Sequence, residues 1–187
     1  MKTALIGATA LMLAAPAFAQ NAETFSDPLI QSGLSQASSQ SQIIMQDCLA
    51  PDSSSRAVRA CTKAIRASVA VPEIRADLYA KRGLHQLNMG RFAKASTDFA
   101  TAGRLDGENA LAALGAGFTA LRQERLAEAR AYFAECQGHE GANALAQYGV
   151  GMSYQMEGRA EDARKAYRQA LQLRPGWEAP AELLAEL

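Results

Sequence analysis

An all-α stack of antiparallel helix pairs is the fold the sequence predicts, and three observations predict it. The chain matches itself at an interval of about 34 residues, the length of one helix–turn–helix unit in solenoid proteins. Glycine, alanine and aromatic residues recur at fixed places in each copy. The 187 residues are 49% hydrophobic and 20% charged, enough apolar material for one compact domain. Lys+Arg and Asp+Glu balance at 19 each and the charges alternate in sign, which argues against nucleic acid or anionic lipid as a partner.

The chain opens on MKTALIGATALMLAAPAFAQ, with Lys2 ahead of an apolar run from Ala4 to Ala15 and Ala17-Phe18-Ala19 before Gln20. A charged start, a short apolar core and a small-x-small exit predict a secretory signal over residues 1–19, cleaved after Ala19. The run is shorter than the roughly 20 residues that span a bilayer, so the expectation is export to the periplasm without a transmembrane anchor. Residues Gln20–Ser41 are rich in Ser and Gln and read as a flexible arm or linker.

Three copies of the interval follow without a gap, at Ala76–Asn109, Ala110–Asn143 and Ala144–Trp177. Counting from the first residue of each, position 8 holds Gly83, Gly117 and Gly151, and position 20 holds Ala95, Ala129 and Ala163. Position 24 is Phe99, Phe133 and Tyr167; position 27 is Ala102, Cys136 and Ala170. Glycine inside a helix costs about 1 kcal/mol relative to alanine, so three at one register require a compensating gain. The expectation is a close crossing in which the position-8 glycine meets the position-20 alanine, with the aromatic filling the wedge between neighbouring pairs. Gly90 and Gly158 are placed to end the first helices of their units. The middle unit has Glu124 there, and its turn is expected to be less sharply defined.

These residues resemble the tetratricopeptide-repeat (TPR) pattern, in a protein of exported bacterial type: small at 8, 20 and 27, aromatic near 24, proline at 32, over residues 76–177. The resemblance implies a right-handed solenoid of antiparallel helix pairs with a concave binding face. Two departures stand out. Arg82 occupies a place where the family prefers leucine, which predicts a snorkelling side chain and a looser first unit. Only the third unit carries the proline, Pro175.

Running the register backwards gives a degenerate pair over residues 42–75, with Cys61 at position 20 and Cys48 at position 7 beside the crossing. The two cysteines lie 13 positions apart, and an exported chain is free to oxidise them. A Cys48–Cys61 bridge then replaces the missing glycine–alanine contact and contributes roughly 3 kcal/mol; the alternative is two buried thiols. Cys136 stands in a small-residue slot and reads as a buried thiol, with an intermolecular or reactive role as the alternative. Residues 178–187 start a further helix with Pro180 in its first turn and Leu183, Leu184 and Leu187 to seal the last pair, as end repeats require.

The TPR resemblance lines the groove from the first helix of each unit. Its apolar members here are Leu84, Leu87, Leu111, Leu114, Phe118, Leu121, Leu145, Tyr148, Met152 and Met156, a candidate peptide-binding groove. Leu111, Leu114, Phe118 and Leu121 form one apolar stripe by helical periodicity alone. The Lys, Asn and Arg clamp by which some TPR proteins hold a terminal carboxylate is lacking, which disfavours that mode. The expected guest is an amphipathic helix or hydrophobic peptide. The groove's other candidate occupants are this chain's own arm or terminal helix, or a second copy in a homodimer.

No catalytic or metal-ligating constellation is legible. His85 and His139 are the two histidines and share no ligand spacing, and the glycines sit in packing registers rather than in a phosphate loop. The function predicted is a non-enzymatic periplasmic scaffold or adaptor without a cofactor. The alternative is a chaperone or assembly factor that holds unfolded or apo-protein clients.

Overall fold

The structure is a computed structural model that describes residues 39–50, 52–67 and 71–187. The expected signal, 1–19, and the arm as far as residue 38 lie outside the described residues. Among the described residues nine α-helices follow one another and no strand occurs. Helices α1 (Ser39–Leu49) and α2 (Ser55–Ala67) form the first pair. Helices α3 (Pro72–Asn88) and α4 (Phe92–Leu105), α5 (Ala110–Arg122) and α6 (Leu126–Ala134), and α7 (Glu140–Met156) and α8 (Ala160–Leu173) form the next three. Helix α9 (Glu178–Glu186) closes the chain. Each helix packs on its successor, and α1, α3, α5 and α7 also touch in turn, so the first helices form one continuous row in a solenoid.

Local chemistry sets the ends of these helices. Pro72 opens α3, where its missing N–H is no loss. The Asn109 side chain accepts a hydrogen bond from the Ala112 N–H at 2.9 Å and caps α5. In all three full units the turn between helices closes with the same long bond: Arg91 N–H to the Gln86 carbonyl, Arg125 to Ala120 and Arg159 to Tyr154. Gly90 and Gly158 adopt φ of +70° and +74°, and Glu124 adopts +58° in their place. The middle turn is therefore as sharply defined as the others, contrary to the sequence expectation. The closing hydrogen bond fixes the turn, and Glu124 bears the steric strain of about 1–2 kcal/mol that an L side chain meets in the left-handed region.

The core is organised around the position-24 rings. A Cβ placed on Gly83 would stand 2.9 Å from the Phe99 ring, and one on Gly117 would stand 2.5 Å from the Phe133 ring. A Cβ on Gly151 would run into the Tyr167 ring. The same Phe99 and Phe133 rings press still more closely on Gly115 and Gly149, both at position 6 of the following unit. Each phenylalanine is thus wedged between a glycine of its own unit and a glycine of the next. The ring does fill the wedge between pairs. The position-8 glycine makes room for that ring, however, and not chiefly for the alanine at position 20. Ala95, Ala129 and Ala163 are fully buried. At the last unit Leu183 of α9 takes the position-6 place and is buried, while Tyr148 packs against both Tyr167 and Trp177, with ring centroids 6.0 and 4.9 Å apart.

Arg82 does not snorkel. Its guanidinium grips both carboxylate oxygens of Asp98 on α4, at 2.9 and 2.7 Å, and reaches the Thr62 hydroxyl on α2 at 3.0 Å. Its charge also lies over the Tyr79 ring, 5.2 Å from the centroid. The first unit is tied together there rather than loosened, because a partly buried arginine with a bidentate carboxylate keeps its charge satisfied.

The N-terminal pair packs on α3 through a small core of Cys48, Ala60, Cys61, Ala64 and Ile65 with Leu78 of α3. Cys48 and Cys61 are bridged, with Cα atoms 4.6 Å apart. A polar chain then ties this pair to α3. The Cys48 carbonyl can only accept, so the His85 Nε2, 2.9 Å away, must donate to it. In the neutral ring Nδ1 must then accept from the Ser53 hydroxyl at 3.3 Å, and the Ser53 oxygen accepts in turn from the Asn88 amide at 2.9 Å. Burial lowers the His85 pKa, partly opposed by the bond to the Cys48 carbonyl; Lys81 lowers it further and Asp52 raises it.

Three outcomes follow from this packing. Gly115→Ala should lose about 1–3 kcal/mol of stability because its methyl overlaps a ring held on both sides. Gly103→Ala, where a Cβ meets nothing within 4 Å, should gain up to about 1 kcal/mol; equal behaviour of the two in urea melts refutes the wedge. Glu124→Gly should stabilise the chain by about 1 kcal/mol by relieving the left-handed strain, and a loss would show the turn to be unstrained. For His85, a depressed folded pKa means its stabilisation is complete above about pH 6.5 and falls as pH drops below that value. Wild type should weaken as pH falls below about 6.5 while His85→Gln shows a flatter profile; parallel profiles would remove His85 from this role.

Candidate functional site

The predicted groove residues come together, but as core. Leu84, Leu87, Leu111, Leu114, Phe118, Leu121, Leu145, Tyr148 and Met152 are all buried, Leu114 and Leu121 completely; Met156 alone is half-buried. They belong to the continuous cluster that runs from α3 to α9. Phe118 meets Phe133 edge-on at 5.1 Å. An open apolar face on these nine side chains is therefore not what the structure presents. The physical reason is that the first helices pack in a row, α3 on α5 and α5 on α7, and bury residues on more than one side of each helix. The Tyr148 hydroxyl is buried without a hydrogen-bond partner, and burial, with Glu182 adding to it, pushes its pKa up to about 12.

Polar residues of the same first helices are bonded within this chain. Asp77 accepts from the Asn109 amide at 2.6 Å, and Asn88 donates to Ser53. Gln155 accepts from the Tyr167 hydroxyl at 2.6 Å. Cys136 is fully buried, its thiol lies 3.7 Å from the Tyr132 carbonyl, and burial raises its pKa to about 12. That is the small-residue packing slot expected of it. His139 precedes α7 as its N-cap residue.

The structure also offers a recess of about 360 Å³ between α4 and α6, beside α5. Its floor is Ala112, Ala113 and Ala116 with the edge of Phe99. One wall is Ser96, Ala100, Gly103 and Arg104 of α4 and the other is Glu128 and Tyr132 of α6 with its flanking cap residues Arg125 and Glu135. Arg125 binds Glu128 at 2.5 Å and Gln123 at 2.6 Å, while Arg104 binds Thr101 at 3.1 Å. Burial and the nearby Glu128 raise the Tyr132 pKa. Positions 4 and 7 of the middle unit, Ala113 and Ala116, are the signal that would have found this recess.

The units on either side carry bulkier residues on the same helix. Between α2 and α4 stand Tyr79 and Arg82, bonded as above. In the third unit those two floor positions are Gln147 and Val150, and the Tyr154 ring, at position 11, has the guanidinium groups of Arg130 and Arg159 at 4.8 and 4.4 Å from its centroid. Arg130 is held there by Ser153 at 3.1 Å and Glu157 at 2.8 Å. Further out, α8 carries surface pairs of Arg159 with Asp162 and Arg164 with Glu161, each worth little in water.

Among the described residues no helix is long and apolar enough to cross a membrane, and no group of three or more His, Cys, Asp or Glu is placed to hold a metal.

Comparison with known proteins places this geometry. Residues 144–177 match the tetratricopeptide repeat family. Among solved structures, MamA 41-end from Desulfovibrio magneticus RS-1 is similar with a TM-score of 0.64 at 21% identity, covering 79% of this chain and 82% of that one. The MamA RS-1 ArsTM double mutant is similar over the same shares, with a TM-score of 0.63 and 21% identity. No curated protein matches the sequence. Residues 144–177 thus match a tetratricopeptide repeat, and the likeness of fold makes this chain a helical solenoid of stacked helix pairs.

Proposed function

We propose that this protein is an exported, non-enzymatic scaffold that holds another protein, working in the periplasm after removal of residues 1–19. The observation that carries the reading is the repeat stack itself, a fold that presents long faces to protein partners. Two groups that chemistry would use first are occupied structurally. His85 is locked between Ser53 and Cys48, and Cys136 is a buried thiol whose burial suppresses the thiolate. The charge balance and the short apolar run at the N-terminus support export as a water-soluble chain.

A helical or apolar peptide remains the partner class, but burial of Leu114 and Phe118 argues against those side chains as its landing surface. Leu114→Asp should therefore unfold the stack rather than cleanly remove binding. The informative substitutions are on exposed sites: a photocrosslinking residue at Ala100 beside the recess, and one at Leu173 away from it. Capture from a periplasmic fraction should give one partner that saturates and prefers Ala100. Many clients captured without saturation would favour the chaperone reading instead. Intact mass of the exported chain should begin at Gln20, and a chain still starting at Met1 would overturn the assignment to the periplasm.

A further inference from the structure

We propose that this chain associates head to tail with further copies of itself, the outer row of α2 on one copy meeting the outer row of α9 on the next. Charge balances over the whole chain at 19 of each sign, but not along the stack. Helix α2, in the first pair, carries Arg56, Arg59, Lys63 and Arg66 and no acidic residue. Helix α9, which closes the other end, carries Glu178, Glu182 and Glu186 and no basic one. All of these are exposed. Arg56 binds Asp47 of α1. Among the described residues the others make no ion pair.

Both rows are continuous. Arg59, Lys63 and Arg66 follow at i, i+4 and i+7, on the side of α2 opposite the buried Ala57, Ala60 and Ala64. Glu178, Glu182 and Glu186 follow at i, i+4 and i+8, opposite the buried Pro180 and Leu183. At 1.5 Å per residue the rows are about 10 and 12 Å long, so they match in length. Like charges at i and i+4 oppose the helix that carries them, and no counter-charge of this chain relieves either row. Helix α2 packs on α1 and α3 while α9 packs on α8, so the two rows belong to opposite ends and meet only between molecules. The exposed large apolar side chains keep to the same ends. Among the described residues these are Ile43 and Val71 on either side of α2 in the chain, and Leu173 at the end of α8. Ile43 lies one turn from Asp47, whose bond to Arg56 joins that face of α1 to α2.

Each exposed ion pair is weak, so the contact depends on several pairs at once and is sensitive to salt. Its two surfaces differ, which makes it heterologous: repetition gives an open run or a ring, not a closed two-fold dimer. The association needs no other protein and stands or falls separately from the scaffold reading. Sedimentation of the chain from Gln20 onward, at concentrations up to about 1 mM, tests it. At about 0.01 M salt, where the screening length is roughly 30 Å, the mean mass should rise with concentration past that of a dimer. At about 1 M salt, where that length is roughly 3 Å, it should return to the monomer.

Two charge reversals assign the surfaces. Arg59→Glu with Lys63→Glu, and separately Glu182→Lys with Glu186→Lys, should each be monomeric at low salt with the helical spectrum of the wild type. Arg66 and Glu178 are left in place because each suits the helix end it occupies. An equimolar mixture of the two variants should associate again, since one then has acidic rows at both ends and the other basic rows. A misfolded variant would not recover in this way. A wild type that stays monomeric at low salt, a mass that stops at the dimer, or a mixture that stays monomeric overturns the proposal. If the wild type is monomeric but Glu23→Gln with Asp27→Gln associates, the arm of this chain covers the α2 row instead.

Discussion

Phe99 and Phe133, each wedged between a glycine of its own helix pair and a glycine of the next, set the spacing on which the rest of the stack depends. Each buried ring removes about 150–250 Å² from water, a gross stabilisation of roughly 4–6 kcal/mol at about 25 cal/mol per Å². The two glycines that admit it cost about 1 kcal/mol each. The exchange is favourable, and it is geometrically exacting, since any Cβ at those places collides with the ring. Because one ring touches two successive units, the same contact closes a hairpin and stacks it on its neighbour. Pair and array are one packing problem here.

The repeat, its small residues and its rings were legible in the sequence because they recur. What recurrence hides is direction. Gly115 and Gly149 at position 6 are absent from the first unit, where Lys81 stands, so they did not register as part of the pattern. The stripe of Leu111, Leu114, Phe118 and Leu121 has the same periodicity whether it faces a guest or the core, and periodicity cannot tell these apart. Burial does. Arg82 misled in the other sense: a charge at an apolar register reads as a defect until the carboxylate of Asp98, sixteen positions on, is known to meet it. Glu124 likewise looked like a weakness and proved to be strain held by a backbone hydrogen bond.

The middle unit is where the array departs from itself. It has the left-handed glutamate, alanine at both floor positions and a thiol at position 27. At those two positions the unit before has Tyr79 and Arg82 and the unit after has Gln147 and Val150, where this one has only alanine. A repeat protein distinguishes one part of its surface from another only through such departures, because the shared register gives every unit the same frame. The vacancy over Ala113 and Ala116 is therefore a more specific feature than any of the recurring positions.

The ends show the same logic from the opposite side. At the C-terminal end Leu183 of α9 occupies the place of the next glycine, and Trp177 covers Tyr148, so an apolar cap replaces a further unit. At the N-terminal junction the wedge has neither of its parts, since position 24 is Ile65 and position 6 of the following unit is Lys81. Without ring and glycine, α2 meets α3 through the smaller apolar cluster of Cys61, Ala64 and Ile65 with Leu78. The Cys48–Cys61 bridge makes the first pair rigid, and the His85–Ser53–Asn88 chain fastens it to α3 through the Cys48 carbonyl. Covalent and polar contacts reinforce the junction that lacks the wedge. The fastening then carries a proton dependence that the ring-and-glycine junctions lack, because its central member is a buried histidine that must stay neutral to accept from Ser53.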